Sequence, residues 1–349
     1  LDWVPMEEQE PVLAHELTHA LQDQSVGLDK WMKHGDKDLG ETRKDPTPMD
    51  IENDETDDAR EAVVEGQAQA MMFQYALAPT GHTVVNSPEL LQAMEEETLT
   101  GNSGTTVFNE APTFLKESMT FPYSYGMEFV VKLMQKAGTE KAFEGLLKNP
   151  PHTTRQIMEP DTYLSNERIP LMPVADFKRD FKDYRKFDIG SMGEFDVAVL
   201  IEQYAGKAVS KQIYPAWRGG YYYAAKPKLS DTAPLGLLYV SRWANPEKAA
   251  EFAGIYAASL KQRYQTVDGA SAPTLEKTAL ERPISQDSDA GKKSKPVLLT
   301  GRHSWNTNEG AVVIEQQGDT VLVSESLDAT TTATVEKEVL GSISSRITN

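Results

Sequence analysis

The chain has 349 residues, enough for two or three domains and a sizeable buried core. It carries 35 Lys+Arg against 53 Asp+Glu, a formal net charge of −18, which argues against a nucleic-acid binder and against docking on anionic lipid, since both need a basic face. There is no cysteine, so disulfides, thiolate zinc sites, Fe–S clusters and Cys nucleophiles are excluded.

Residues 11–24, PVLAHELTHALQDQ, read as a helix. Pro11 suits the first helical position, where a missing N–H costs nothing. Val12, Leu13, Leu17, Ala20 and Leu21 supply the expected apolar face, and Gly27 the expected stop. Residues 28–57 are polar and contain Pro46 and Pro48, which predicts a long solvated loop. Within and just past it, residues 50–58 hold six acidic side chains and no basic one. Helical spacing returns over 58–77, and further helices are expected at 88–99 and 108–120. After Pro122, GMEFVVKLMQKAG reads as a separate amphipathic helix ending at Gly138. A shorter helix is expected at 139–148, then a Pro-rich crossing over 149–164.

A second unit is expected from 166 onward. Residues 193–209 read as helix, and WRGGYYYAA (217–225) and LGLLYVSRW (235–243) favour strands. Residues 245–264 form a helix with Asn245 as N-cap and Pro246 in its first turn. Residues 268–296 are rich in Ser, Pro, Lys and Asp, like a linker or long mobile loop. A hairpin turning at Gly318-Asp319 is expected over 311–326, and a last helix over 328–340. The segments 128–138 and 194–206 both open with Glu-Phe and close with Ala-Gly, an echo that two amphipathic helices can share by chance. No apolar run approaches the roughly 20 residues a membrane span needs.

His15-Glu16-Leu17-Thr18-His19 is an H-E-x-x-H motif on a predicted helix. Residues four apart lie one turn apart on the same face, so both imidazoles can reach one metal ion. Neutral imidazole is a good Zn²⁺ ligand. Glu16 sits at the edge of that face, placed to take a proton from a metal-activated water whose pKa zinc lowers towards about 7. A third protein ligand must come from later in the chain. The 58–77 helix offers Glu61 and Glu65, and Gly66 and Ala68 after Glu65 let it approach the first helix closely, which favours Glu65 over Glu61.

HELTHALQDQ followed by EAVVEGQAQA resembles the gluzincin metallopeptidases, zinc enzymes with two His and a downstream Glu in an E-G-x-A type second helix. The resemblance assigns the third zinc-ligand role to Glu65. Phe121-Pro122-Tyr123-Ser124-Tyr125-Gly126 resembles the P-Y-x-x-G segment of the aminopeptidase-like members. There the Tyr donates its hydroxyl to the tetrahedral oxyanion, a role that falls on Tyr123, with Tyr125 as the fallback. The resemblance covers roughly residues 10–165. Two departures stand out. Only fourteen residues precede His15, so the upstream strand that holds a substrate amino terminus in the aminopeptidases is either absent or lies upstream of the given sequence, and Gln69 stands where some relatives place an acidic residue behind a ligand His.

The expectation is therefore a mainly α, metallopeptidase-like N-terminal half (1–165) with zinc between two helices, and an α+β C-terminal half. That second half divides into an accessory domain (166–267), a linker (268–296) and a small hairpin-plus-helix unit (297–349). The expected activity is hydrolysis of peptide or protein substrates. The rival expectation is a non-catalytic binding or scaffold protein that retains the metal site. The Leu start, read as the mark of an upstream piece removed (a signal peptide, a propeptide or part of the domain), and the Cys-free acidic composition point to an exported protein, periplasmic or extracellular. Asp23, one turn after His19, is a candidate to orient an imidazole. Asp50, Glu52, Asp54, Glu55, Asp57 and Asp58 could hold calcium but lack the EF-hand pattern, so a solvated loop is the plainer expectation. His34, His82, His152 and His303 stand alone, and Tyr221, Tyr222 and Tyr223 beside Gly219-Gly220 read as a buried strand.

Overall fold

The computed structural model describes residues 6–32, 53–90, 93, 108, 110–169, 172–269 and 298–347. They fall into two compact units, one of the described residues up to 167, the other of those from 168 on. The first is helical and the second is built on an antiparallel sheet. No helix among the described residues is long and apolar enough to cross a membrane.

The first unit contains α1 (Met6–Val26), α2 (Leu28–Met32), α3 (Asn53–Leu77), α4 (Thr113–Ala137), a π turn (Lys141–Gly145) running into Leu146–Lys148, α5 (Thr154–Met158) and α6 (Pro160–Leu164). Both α1 and α4 pack on α3. The composition of α3 explains its central place: Ala59, Ala62, Val63, Ala68, Ala70 and Phe73 are all buried, and small side chains let neighbours approach from more than one side. The α3–α4 crossing is the tightest contact. A Cβ added to Gly66 would fall 2.2 Å from the backbone carbon of Gly126, and one added to Gly126 would fall 2.2 Å from the Ala62 carbonyl oxygen.

Several expectations are corrected. Pro11 is not the first residue of α1 but lies inside it, because the helix begins at Met6. Val12, Leu13, Leu17 and Leu21 do not face the core: they are 51%, 57%, 55% and 63% exposed, while Thr18 and Gln22 on the other face are buried. The inward side of α1 is thus the side that carries the histidines. Gly27 does end the helix, in the left-handed conformation (φ +66°), with its N–H bonded to Asp23 O at 2.7 Å. The expected loop over 28–57 contains α2 and the start of α3, so Asp54, Glu55, Asp57 and Asp58 are helical; Asp50 and Glu52 lie outside the described residues. Glu55 is buried, and its carboxylate accepts from the Thr154 amide and hydroxyl at the start of α5. Pro122 does not separate two helices. It is buried within the continuous α4, where packing offsets the roughly 3 kcal/mol cost of an interior proline. Most of the expected 88–99 helix lies outside the described residues. The Pro-rich crossing contains two short helices, α5 and α6.

The second unit contains α7 (Phe177–Asp180), β1 (Tyr184–Ser191), α8 (Glu194–Ala205), α9 (Lys207–Ile213), β2 (Trp217–Pro227), β3 (Gly236–Trp243), α10 (Pro246–Arg263), β4 (Val267–Gly269), β5 (Gly301–Thr307), β6 (Gly310–Gln317), β7 (Thr320–Glu325) and α11 (Ala329–Ile347). One seven-stranded sheet runs β1-β2-β3-β7-β6-β5-β4. Its centre is the β3–β7 pair, in register from Leu237↔Glu325 to Arg242↔Thr320. The stretches 166–267 and 297–349, expected as separate units, therefore share one sheet and one pair of cores. Alternation along the strands divides the side chains. Tyr239, Trp243, Val321 and Val323 pack with α8 and α10, whereas Leu238, Val240 and Leu322 pack with α7 and α11. Asn245 caps α10, its side chain accepting from the Lys248 amide at 3.0 Å. At the end of β7 the buried Glu325 accepts from Tyr256, Tyr264 and both terminal nitrogens of Arg263, so this carboxylate is fully used in holding α10 to the sheet. Residues 270–297, most of the expected linker, lie outside the described residues.

Candidate metal centre

The i, i+4 spacing of α1 sets His15 and His19 one above the other, and α3 sets Glu65 against them. The two Nε2 atoms lie 3.1 Å apart, with the rings edge to face at 82°. Glu65 Oε2 is 3.3 Å from His15 Nε2 and 3.5 Å from His19 Nε2. This triangle has the dimensions of a metal ligand set, since a tetrahedral zinc with bonds of about 2.0–2.1 Å holds its ligand atoms roughly 3.3 Å apart. Glu65 Oε2 is moreover buried and accepts no hydrogen bond. A buried carboxylate oxygen that accepts no hydrogen bond is costly, and a cation between it and the two nitrogens removes that cost. Among the described residues no other trio of His, Asp and Glu converges in this way. The donor set, two imidazoles and one carboxylate with no thiolate, fits zinc with one coordination position left over.

Around the triad stand three further groups. Glu16 follows the first histidine and is exposed. Tyr123, on α4, is 40% exposed, and its ring lies nearly parallel to that of His15 with centroids 6.4 Å apart. Burial raises the Tyr123 phenol above its ordinary value, and Glu65, Glu61 and Glu16 add to the shift. The hydroxyl is therefore neutral, and able to donate, throughout the neutral range. Glu61 is exposed, one turn before Glu65. Its carboxyl is raised first by partial loss of solvation beside the neighbouring helices and second by the Glu65 charge, and it is not among the converging atoms. Tyr125 turns instead to Phe121, with ring centroids 5.3 Å apart.

Asp23 does not orient an imidazole. Its Oδ1 accepts from the Leu28 amide at 2.9 Å, in the turn that ends α1. The group behind His19 is Gln22, whose Oε1 lies 2.9 Å from His19 Nδ1. Sequence reasoning passed over Gln22, although its position three residues after His19 puts it on the same helical face. It also passed over Gln67, which Gln22 bonds at 2.9 Å and for which the sequence holds no signal. Gln69 is buried on the same helix.

Among the described residues the remaining histidines do not cluster. His82 Nδ1 bonds Ser87 Oγ at 2.9 Å, and His303 Nε2 bonds the Thr300 carbonyl at 2.9 Å. His152 is exposed and His34 lies outside the described residues. Tyr221 and Tyr223 are buried in the β2 strand, and Tyr222 donates to Asp188 Oδ2 at 2.7 Å. No protein-family profile, curated protein or solved structure matches this chain.

Proposed function

We propose that the protein is a zinc-dependent peptidase in which His15, His19 and Glu65 hold the metal. The carrying observation is the convergence of His15 Nε2, His19 Nε2 and Glu65 Oε2, the last buried and accepting no hydrogen bond, with an exposed carboxylate and a neutral phenol beside them. Bound zinc would supply Lewis acidity, lowering the pKa of water and polarising a substrate carbonyl. Glu16 then takes the proton from the attacking water and delivers it to the leaving amine. Tyr123 donates its hydroxyl hydrogen to the carbonyl oxygen as negative charge gathers there. The half-buried, acid-flanked phenol suits this task because it stays protonated where the reaction runs.

Zinc analysis of the purified chain, together with peptide-library cleavage with and without chelator, tests the proposal. The expected result is one zinc per chain and cleavage that chelator abolishes and zinc restores. A chain that takes up no stoichiometric zinc overturns it. Zinc uptake without chelator-sensitive cleavage supports a binding role in place of catalysis. Tyr123→Phe is expected to keep zinc and to lower kcat by about 10²-fold, the usual cost of one oxyanion donor. An unchanged kcat would remove Tyr123 from the mechanism.

A further inference from the structure

We propose that Gln22 and Gln67 are positioning residues that fix the tautomer of His19, holding its Nε2 free of hydrogen before any metal arrives. The inference rests on the metal-site reading above for its purpose but not for its geometry.

Gln67 Nε2 lies 2.9 Å from the Ala142 carbonyl and 3.0 Å from that of Phe143, both in the π turn Lys141–Gly145. Carbonyl oxygens only accept, so the nitrogen of the Gln67 amide must face them and its Oε1 must point away. Gln22 Nε2 donates to that Oε1 at 2.9 Å and to a third backbone carbonyl, Val64 O, at 3.0 Å. Flipping Gln67 would set oxygen against two carbonyls, and flipping Gln22 would set oxygen against Val64 O. Both amides are thus locked by atoms that cannot change role. What Gln22 then offers His19 is Oε1, an acceptor, 2.9 Å from Nδ1. Nδ1 must carry the hydrogen, and Nε2 is left with its lone pair.

That Nε2 is the atom 3.1 Å from His15 Nε2 and 3.5 Å from Glu65 Oε2. Neutral histidine in water prefers the opposite tautomer, with hydrogen on Nε2, so the network reverses the solution preference. Gln22 is 3% and Gln67 0% exposed, and water does not compete for these bonds. Orientation of a ligand imidazole by a partner on its other nitrogen is a general requirement of histidine metal sites. Here two uncharged amides anchored in the backbone meet it.

The test is a two-bond ¹H–¹⁵N correlation spectrum of the imidazoles in the metal-free full chain, at a pH where they are neutral. His19 is expected with hydrogen on Nδ1. Gln22→Met, close in volume but without an acceptor, is expected to move it towards Nε2–H and to weaken zinc binding about 10–100-fold by chelator competition. Gln22→Glu keeps an acceptor towards Nδ1 but sets its second oxygen against Val64 O and Gln67 Oε1, so it is expected to hold the hydrogen on Nδ1 while lowering Tm. A packing role predicts instead that Gln22→Met leaves the His19 tautomer unchanged, since Met fills the space. Hydrogen on Nε2 in the wild type, or an unchanged tautomer in a folded Gln22→Met chain, overturns the inference. Should Gln22→Met not fold, Gln67→Met with the wild-type spectrum decides the point. A wild-type His19 protonated on Nδ1 in a chain that binds no zinc would sink the peptidase proposal and leave the tautomer assignment standing.

Discussion

Glu16→Gln is expected to bind zinc like the wild type and to lose about 10²–10⁴-fold in kcat, the range spanned by general acid–base catalysis. The substitution keeps shape and removes only the ability to accept a proton. Glu16 is exposed and outside the converging trio, so neither folding nor metal retention should suffer. Zinc content, thermal unfolding and kcat measured on one preparation separate the cases. A loss of activity that follows a loss of zinc would make Glu16 part of the metal site. Full activity with full zinc would remove it from the reaction and with it the mechanism.

The second large effect is structural. Gly66→Ala places a Cβ 2.2 Å from the Gly126 carbonyl carbon and 2.3 Å from its oxygen. These are backbone atoms of α4 and cannot rotate away, so the two helices must part. Overpacking of this kind costs typically about 1–3 kcal/mol, occasionally more. Replacing a helical glycine gains about 1 kcal/mol in propensity and does not offset the clash. The expected result is a lower Tm together with weaker zinc binding, because Glu65 is the next residue along α3 and moves with the crossing. Gly341→Ala is the contrast: it lies in α11, where a Cβ would meet nothing within 4 Å, and it is expected to be neutral or mildly stabilising. Equal behaviour of the two variants would show that the α3–α4 approach is not rigid.

The segments that sequence patterns located well are those governed by local rules. The helix over 11–24 follows from spacing, Gly27 ends it because a left-handed residue is needed there, and Asn245 caps α10 with its own side chain. The β6–β7 hairpin turns at Gly318, which adopts φ +58°. Where local rules met a tertiary contact, the contact won. The leucines of α1 suggested an inward face, yet the packed side carries His15, Thr18, His19 and Gln22, since these reach α3. Pro122 marked a helix boundary that packing against α3 erased. Strands β1 and β5 passed unnoticed because YRKFDIGS and GRHSWNT scatter charge and small polar residues among few apolar ones.

The sequence by itself determined the chemistry offered on α1: two imidazoles at helical spacing, a carboxylate beside them, and no thiolate anywhere to compete. It could do so because residues four apart are neighbours on any α-helix, whatever surrounds it. Only the tertiary structure decided how Glu65 comes within 3.5 Å of both histidines, since that depends on packing between α1 and α3. The same holds for the partner behind His19. A glutamine's amide acquires direction only when backbone carbonyls remote in sequence face it, and no pattern within one segment records that meeting. The single sheet joining residues before 270 to residues after 297 is a third such case, because the pairing of β3 with β7 lies between segments and in neither alone.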